Sequence, residues 1–129
     1  MFKNLDIFRT AHALATHSGA RQGVIATNIA NADTPGFKAQ DVEPFADFLS
    51  ARGQGSDMKA TRPTHLNASD AQGGPTIFRA QSQEANPNGN TVSMEEQMVN
   101  AVDVKRQHDK ALAIYRSGLS ILRSSLGRN

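Results

Sequence analysis

Apolar and small residues recur along the start of the chain with the spacing of one helix face. Ile7, Ala11, Leu14, Ser18, Gln22, Ile25 and Ile29 follow steps of 4-3-4-4-3-4, an eleven-residue repeat that tracks one side of a nearly straight helix. The spacing predicts a helix over residues 5 to 32. Asn4 stands where a cap belongs and Asp6 in the first turn. Gly19 and Gly23 each cost about 1 kcal/mol relative to Ala in a helix interior. Ala11, Ser18 and Gln22 add little apolar area, so this helix should be weak alone.

The end of the chain is more regular. Met94, Met98, Ala101, Lys105, His108, Leu112, Tyr115, Leu119, Leu122 and Leu126 keep strict 4-3 spacing, a coiled-coil pattern interrupted only by Lys105 and His108. Ser93 followed by Glu96 has the form of a capping box. Glu95 and Glu96 suit the positive end of the helix dipole, and Arg116, Arg123 and Arg128 lie toward its negative end. At 1.5 Å per residue the two helices are roughly 40 and 50 Å long, a near match.

Between them the pattern breaks. All prolines lie in or just before residues 38 to 91, half of the glycines lie within, and apolar residues come in short groups. Residues 44 to 50 predict one short helix with Phe45, Phe48 and Leu49 on one side. Residues 52 to 60, with Gly53, Gly55 and Ser56, predict a mobile loop tip. Residues 76 to 81 are the best strand candidate and residues 86 to 90 a strong turn, which together allow a small β-hairpin. The simplest fold is mainly α: two long terminal helices paired as an antiparallel coiled coil, with an irregular middle. This divides the chain into residues 1–36 (first helix and its exit turn), 37–92 (connecting region) and 93–129 (heptad helix), the two helices forming one elongated domain. Two helices bury only one seam, so an isolated subunit exposes apolar residues and the missing contacts are expected from neighbouring copies.

Composition narrows the function. The chain has 129 residues, no Cys and no Trp, which excludes disulfides, thiolate metal sites and a Cys nucleophile. Its formal charge of +2 is spread evenly over both halves, without the basic stripe that nucleic-acid binding requires. Lys3, Asp6 and Arg9 interrupt any signal-peptide core, and no stretch is long and apolar enough to span a bilayer, so export is expected without a cleaved signal peptide. His12 and His17 are five apart and off a common helix face, and His65 and His108 lack partners at ligand spacing. His108 is expected to hydrogen-bond across a helix interface. No phosphate loop, dinucleotide fingerprint or nucleophile elbow occurs. Neither a catalytic site nor a cofactor nor a small-molecule substrate is expected.

The first helix ends in a sharp exit. Pro35 pushes Thr34 out of helical geometry, Pro35 and Gly36 suit the centre of a type II turn, and Phe37 follows as an anchor. Asn28 and Asn31 lie three apart near carbonyls that lack intrahelical partners, and Asn28 is placed to tie the helix end to the loop.

The string from Ala26 to Phe37, with Asn28, Ile29, Ala30, Asn31, Thr34, Pro35 and Gly36, resembles the N-terminal signature of bacterial flagellar rod and hook proteins. The heptad helix at the other end extends the resemblance over almost the whole chain. The short length resembles the proximal-rod subunits. Thr61 to Leu66 and Asn88-Gly89-Asn90-Thr91-Val92 resemble segments of the B-type member, with Asn88 in place of the usual Asp. The C-type member shares the N-terminal signature and is the nearest alternative; a free-standing helical-hairpin adaptor is a more distant one. The resemblance implies a structural subunit exported by the flagellar type III apparatus and polymerised helically into the periplasmic drive shaft for motility. Its implied partners are copies of itself, other rod subunits and the rod-adaptor protein at the membrane ring. The residues that carry the signature are Asn28, Asn31, Thr34, Pro35, Gly36 and Phe37. The expected assembly seam is Leu14, Ile25, Ile29, Leu112, Tyr115, Leu119, Leu122 and Leu126.

Overall fold

A computed structural model describes residues 2–53, 74–80 and 84–127. Helix α1 spans Phe2–Ala30, strand β1 Gln40–Val42, helix α2 Phe45–Gly53, strand β2 Ile77–Arg79 and helix α3 Met94–Leu126. The terminal helices pack antiparallel: Phe8 meets Tyr115 edge-on, with ring centroids 5.2 Å apart, and at the other end Asn28 meets Gln97. The mainly helical fold with long paired ends is as expected. The start of α1 is not. The helix begins before Asn4 and has no acidic residue in its first turn, so Asn4 is no cap and Asp6 lies beyond the first turn. Ser93 does cap α3: its Oγ accepts the Glu96 N–H at 3.4 Å.

The helix pair closes on a different row from the expected one. On α3 the buried or half-buried positions are Gln97, Ala101, Val104, His108, Ala111, Ile114, Gly118 and Leu122, with Asn100 and Gln107 half-buried beside them. This row shares Ala101, His108 and Leu122 with the expected seam but replaces Met98, Lys105, Leu112, Tyr115 and Leu119 by the residue before each. Small side chains decide the outcome. Ala11 and Ser18 are buried on α1, and near its start the helices come close enough that a methyl group on Gly118 would lie 2.9 Å from the Phe8 ring. A leucine at position 118 would hold the axes further apart there, and Lys105 would need its ammonium desolvated to take the place of Val104. Met98, Leu112, Leu119 and Leu126 therefore point outward, all exposed.

A second side of α1 covers the connecting region. His17 is buried, with Nε2 donating to the Glu43 carbonyl at 2.6 Å, and its ring packs edge-on to Phe45 at 5.6 Å and near Phe48 at 5.7 Å. The structurally engaged histidine is thus His17. The ring of His108 is half-buried, but among the described residues it makes no hydrogen bond. Helix α2 runs beyond the expected residues 44 to 50 to Gly53 and buries Phe48 as anticipated.

Strand β2 falls inside the predicted 76 to 81, but its partner is not across the 86 to 90 turn. It pairs antiparallel with β1, Gln40 opposite Arg79 and Val42 opposite Ile77. The expected local hairpin is replaced by a long-range pairing, because residues 86 to 90 are engaged with the exit of α1. The rest of the loop tip expected after Gly53, and Thr61 to Leu66, lie outside the described residues.

Candidate assembly site at the helix exit

The exit of α1 is built from two turns that face each other. In the first, the Phe37 N–H donates to the Thr34 carbonyl at 3.3 Å and Gly36 has φ of 74°. Pro35 holds its own φ negative, so positive φ at the next position makes this the expected type II turn. In the second, the Gly89 N–H donates to the Asn86 carbonyl at 2.8 Å and Gly89 has φ of 80°. The two glycines meet: a Cβ on Gly89 would stand 3.5 Å from the Gly36 Cα. The Gly36 N–H donates to the Asn88 carbonyl at 3.0 Å, and the Thr91 N–H to the Phe37 carbonyl at 3.0 Å. Lys38 Nζ adds a bond to the Gly89 carbonyl at 2.8 Å.

Asn90 is the bolt between them. It is fully buried, and its Nδ2 donates to the carbonyls of Asn31, Ala32 and Thr34 at 2.8, 2.9 and 2.8 Å. Its Oδ1 accepts the Val92 N–H at 2.7 Å. These carbonyls lie in the turn just past the end of α1 at Ala30, where those of Asn31 and Thr34 also accept the Thr34 and Phe37 N–H groups. One side-chain amide, fifty-odd residues on by sequence number, ties all three together and gives the Ala32 carbonyl a donor.

Asn28 does for the loop what Asn90 does for the helix end. Fully buried, it exchanges two bonds with the Gln40 backbone, Nδ2 to the carbonyl at 2.7 Å and Oδ1 from the N–H at 3.0 Å. It also donates to Gln97 Oε1 at 3.0 Å. Three segments, α1, β1 and α3, thus converge on one amide. Asn31 acts locally: Nδ2 bonds the Thr27 carbonyl at 2.8 Å, and Oδ1 accepts from Thr34 Oγ1 at 3.2 Å. Beside this cluster Arg21 grips Asp41 through Nε at 2.9 Å and a second nitrogen at 3.1 Å, fixing β1 against α1.

The signature residues Asn28, Asn31, Thr34, Pro35, Gly36 and Phe37 therefore form one structural unit. The assembly-seam residues do not. Ile25 is buried in the core, Leu14 and Leu122 are half-buried, and Ile29, Leu112, Tyr115, Leu119 and Leu126 are exposed. Asn90 and Gln97 were invisible to periodicity. The signal for Asn90 was present in the Asn-Gly-Asn turn, whose outer Asn is available to a distant helix end once the chain folds back.

Residues 13–38 match the sequence pattern of the family described as "Flagella basal body rod protein". Curated relatives extend the likeness along the chain. It is 35% identical over 119 residues to the flagellar basal body rod protein FlgB of Agrobacterium fabrum, covering 88% of this chain and 87% of that one. It is 32% identical to the protein of the same name from Aeromonas hydrophila, covering 89% and 87%, and 34% identical to that of Yersinia enterocolitica, covering 73% and 74%.

Proposed function

The chain belongs to the flagellar basal body rod family, and we propose that it is the B-type subunit of the proximal rod, polymerising helically through its terminal helices into the periplasmic drive shaft. It is a structural subunit, and the flagellum it serves drives motility. Its neighbours are other rod components. Beyond them we assign it the rod-adaptor protein at the membrane ring and the type III export apparatus, through which it passes with no signal peptide removed.

The observation that carries this reading is the division of labour on α3. One row closes the helix pair, while Met98 and Leu126 stand well exposed and Leu112 and Leu119 keep over a third of their surface open, apolar area that a partner could cover. The clamped exit turn complements that surface. It fixes the angle at which the connecting region leaves the helix pair, which a repeating assembly needs to be identical in every copy. A free-standing hairpin adaptor would not need that outward row.

Leu119→Asp tests the assignment. Leu119 is 37% exposed, so the folded chain should lose only about 1 kcal/mol, whereas an interface that buries an unpaired carboxylate loses several. The variant should be exported and folded yet missing from basal bodies. Normal incorporation would remove this row from the assembly surface; absence of the tagged wild-type chain from purified basal bodies would remove the rod assignment.

A further inference from the structure

The second exit turn contains a dipeptide that can react with itself. Asn88 is the only asparagine of the chain followed by glycine, and no Asp-Gly pair occurs. A glycine after asparagine has no side chain to hinder approach of its nitrogen to the neighbouring amide carbon. Asn88 is also exposed to water. What holds the pair still is the clamp. The Gly89 N–H donates to the Asn86 carbonyl at 2.8 Å, the Asn88 carbonyl accepts the Gly36 N–H at 3.0 Å, and Asn88 Oδ1 accepts the Asn90 N–H at 3.0 Å. Asn88 does not have a positive φ, so the hydrogen-bonded turn over residues 86 to 89 is type I, which sets ψ of Asn88 at about 0°.

We infer that Asn88 is a self-modification site, converting through a cyclic imide to aspartate and isoaspartate, and that the clamp between the two turns keeps it closed in the folded chain. The Gly89 nitrogen gives its proton to hydroxide and attacks Asn88 Cγ; the Cγ–Nδ2 bond breaks, and the amide leaves as ammonia with a proton from water. Water then opens the imide. Attack at Cγ gives aspartate and the original main chain, whereas attack at the main-chain carbonyl carbon gives isoaspartate. Ring closure requires the Gly89 nitrogen to lie beside Cγ, in plane with Cβ, so ψ of Asn88 must swing by about a third of a turn from its type I value. That swing breaks the Asn86–Gly89 bond and carries the Asn88 carbonyl away from Gly36. The reaction therefore waits until the turns part. Isoaspartate routes the main chain through the former side chain, one carbon longer, and the turn that faces Gly36 no longer closes. The modification marks chains whose α1 exit has opened.

Peptide mass spectrometry of the full chain reads the step directly, since exchanging the amide NH2 for OH raises the mass by one unit at Asn88. In warm, mildly alkaline buffer the folded chain should convert at least about tenfold more slowly than the chain unfolded in urea. Asn90→Ala unbolts the turns and should convert at least about fivefold faster than wild type. It should keep that lead over Val104→Ala, a substitution at a fully buried core position, when urea is adjusted so that the two variants are equally folded. Asn88→Asp, which begins as the product, should show no gain in mass. Absence of conversion in urea would remove the modification site. Equal rates in the folded and unfolded chain, or in the two equally folded variants, would remove the clamp as its gate and overturn the inference. The rod assignment is independent of each result.

Discussion

Replacing Asn90 should loosen the exit of α1 more than any other single polar substitution at the two turns. Its amide hydrogens are shared among three carbonyls at 2.8 to 2.9 Å, and its Oδ1 holds the Val92 N–H at 2.7 Å. Two N–H groups and one carbonyl therefore find partners in a site with no solvent access. At about 0.5–1.5 kcal/mol net per hydrogen bond, Asn90→Ala should destabilise the fold by roughly 2–4 kcal/mol. Asn88→Ala, which removes a single acceptor for the Asn90 N–H, should lose only about 1 kcal/mol. Asn90→Asp keeps the shape and reverses the chemistry, aiming an acceptor-only group at three carbonyl oxygens. That environment favours the protonated acid, so its folded pKa lies above the unfolded value of about 3.9. The stability of this variant should therefore fall as pH rises above about 4 and recover on acidification, the folded state being the tighter proton binder. Urea unfolding followed by circular dichroism measures all three. An Asn90→Ala midpoint equivalent to wild type within about 0.5 kcal/mol would show that water replaces the amide and that the two turns are not bolted together.

Other outcomes follow from the same geometry. Gly36→Val forces a β-branched residue to φ of 74° and should destabilise by about 1–3 kcal/mol, with loss of swimming in a complemented strain; normal motility would remove the strained turn from the assembly argument. Gly19→Ala meets nothing within 4 Å and should raise the urea stability of the chain by about 1 kcal/mol. Gly118→Ala places its methyl 2.9 Å from the Phe8 ring, so overpacking should outweigh the helix-propensity gain and leave a net loss of up to about 2 kcal/mol. Arg21→Ala removes the two-point grip on Asp41 and should lower protection of the β1 amides in hydrogen exchange while α3 stays unchanged, a loss of about 1 kcal/mol at this part-exposed site.

Local signals were legible wherever the chemistry is local. The 3.6-residue periodicity, Ser93 before Glu96 and the Pro35-Gly36 pair depend on neighbours a few positions away, and the helices, the α3 cap and the type II turn follow from them. The start of α1 was not legible, since Asn4 and Asp6 fit a cap equally well whether or not the helix had already begun. The pairing of β2 with β1 was beyond reach for another reason: a three-residue strand carries too little pattern to name a partner more than thirty residues away. The face of α3 shows the clearest division. Periodicity placed apolar groups on one side of the helix but could not choose between rows one residue apart, because both repeat every seven positions. Tertiary packing chose the row containing Val104, Ala111 and Gly118. Close approach of the helices, with Phe8 against Gly118 and Asn28 bonded to Gln97, rewards small side chains and one matched polar pair. Met98 and Leu126 were thereby left outside, and Leu112 and Leu119 at the margin of the pair.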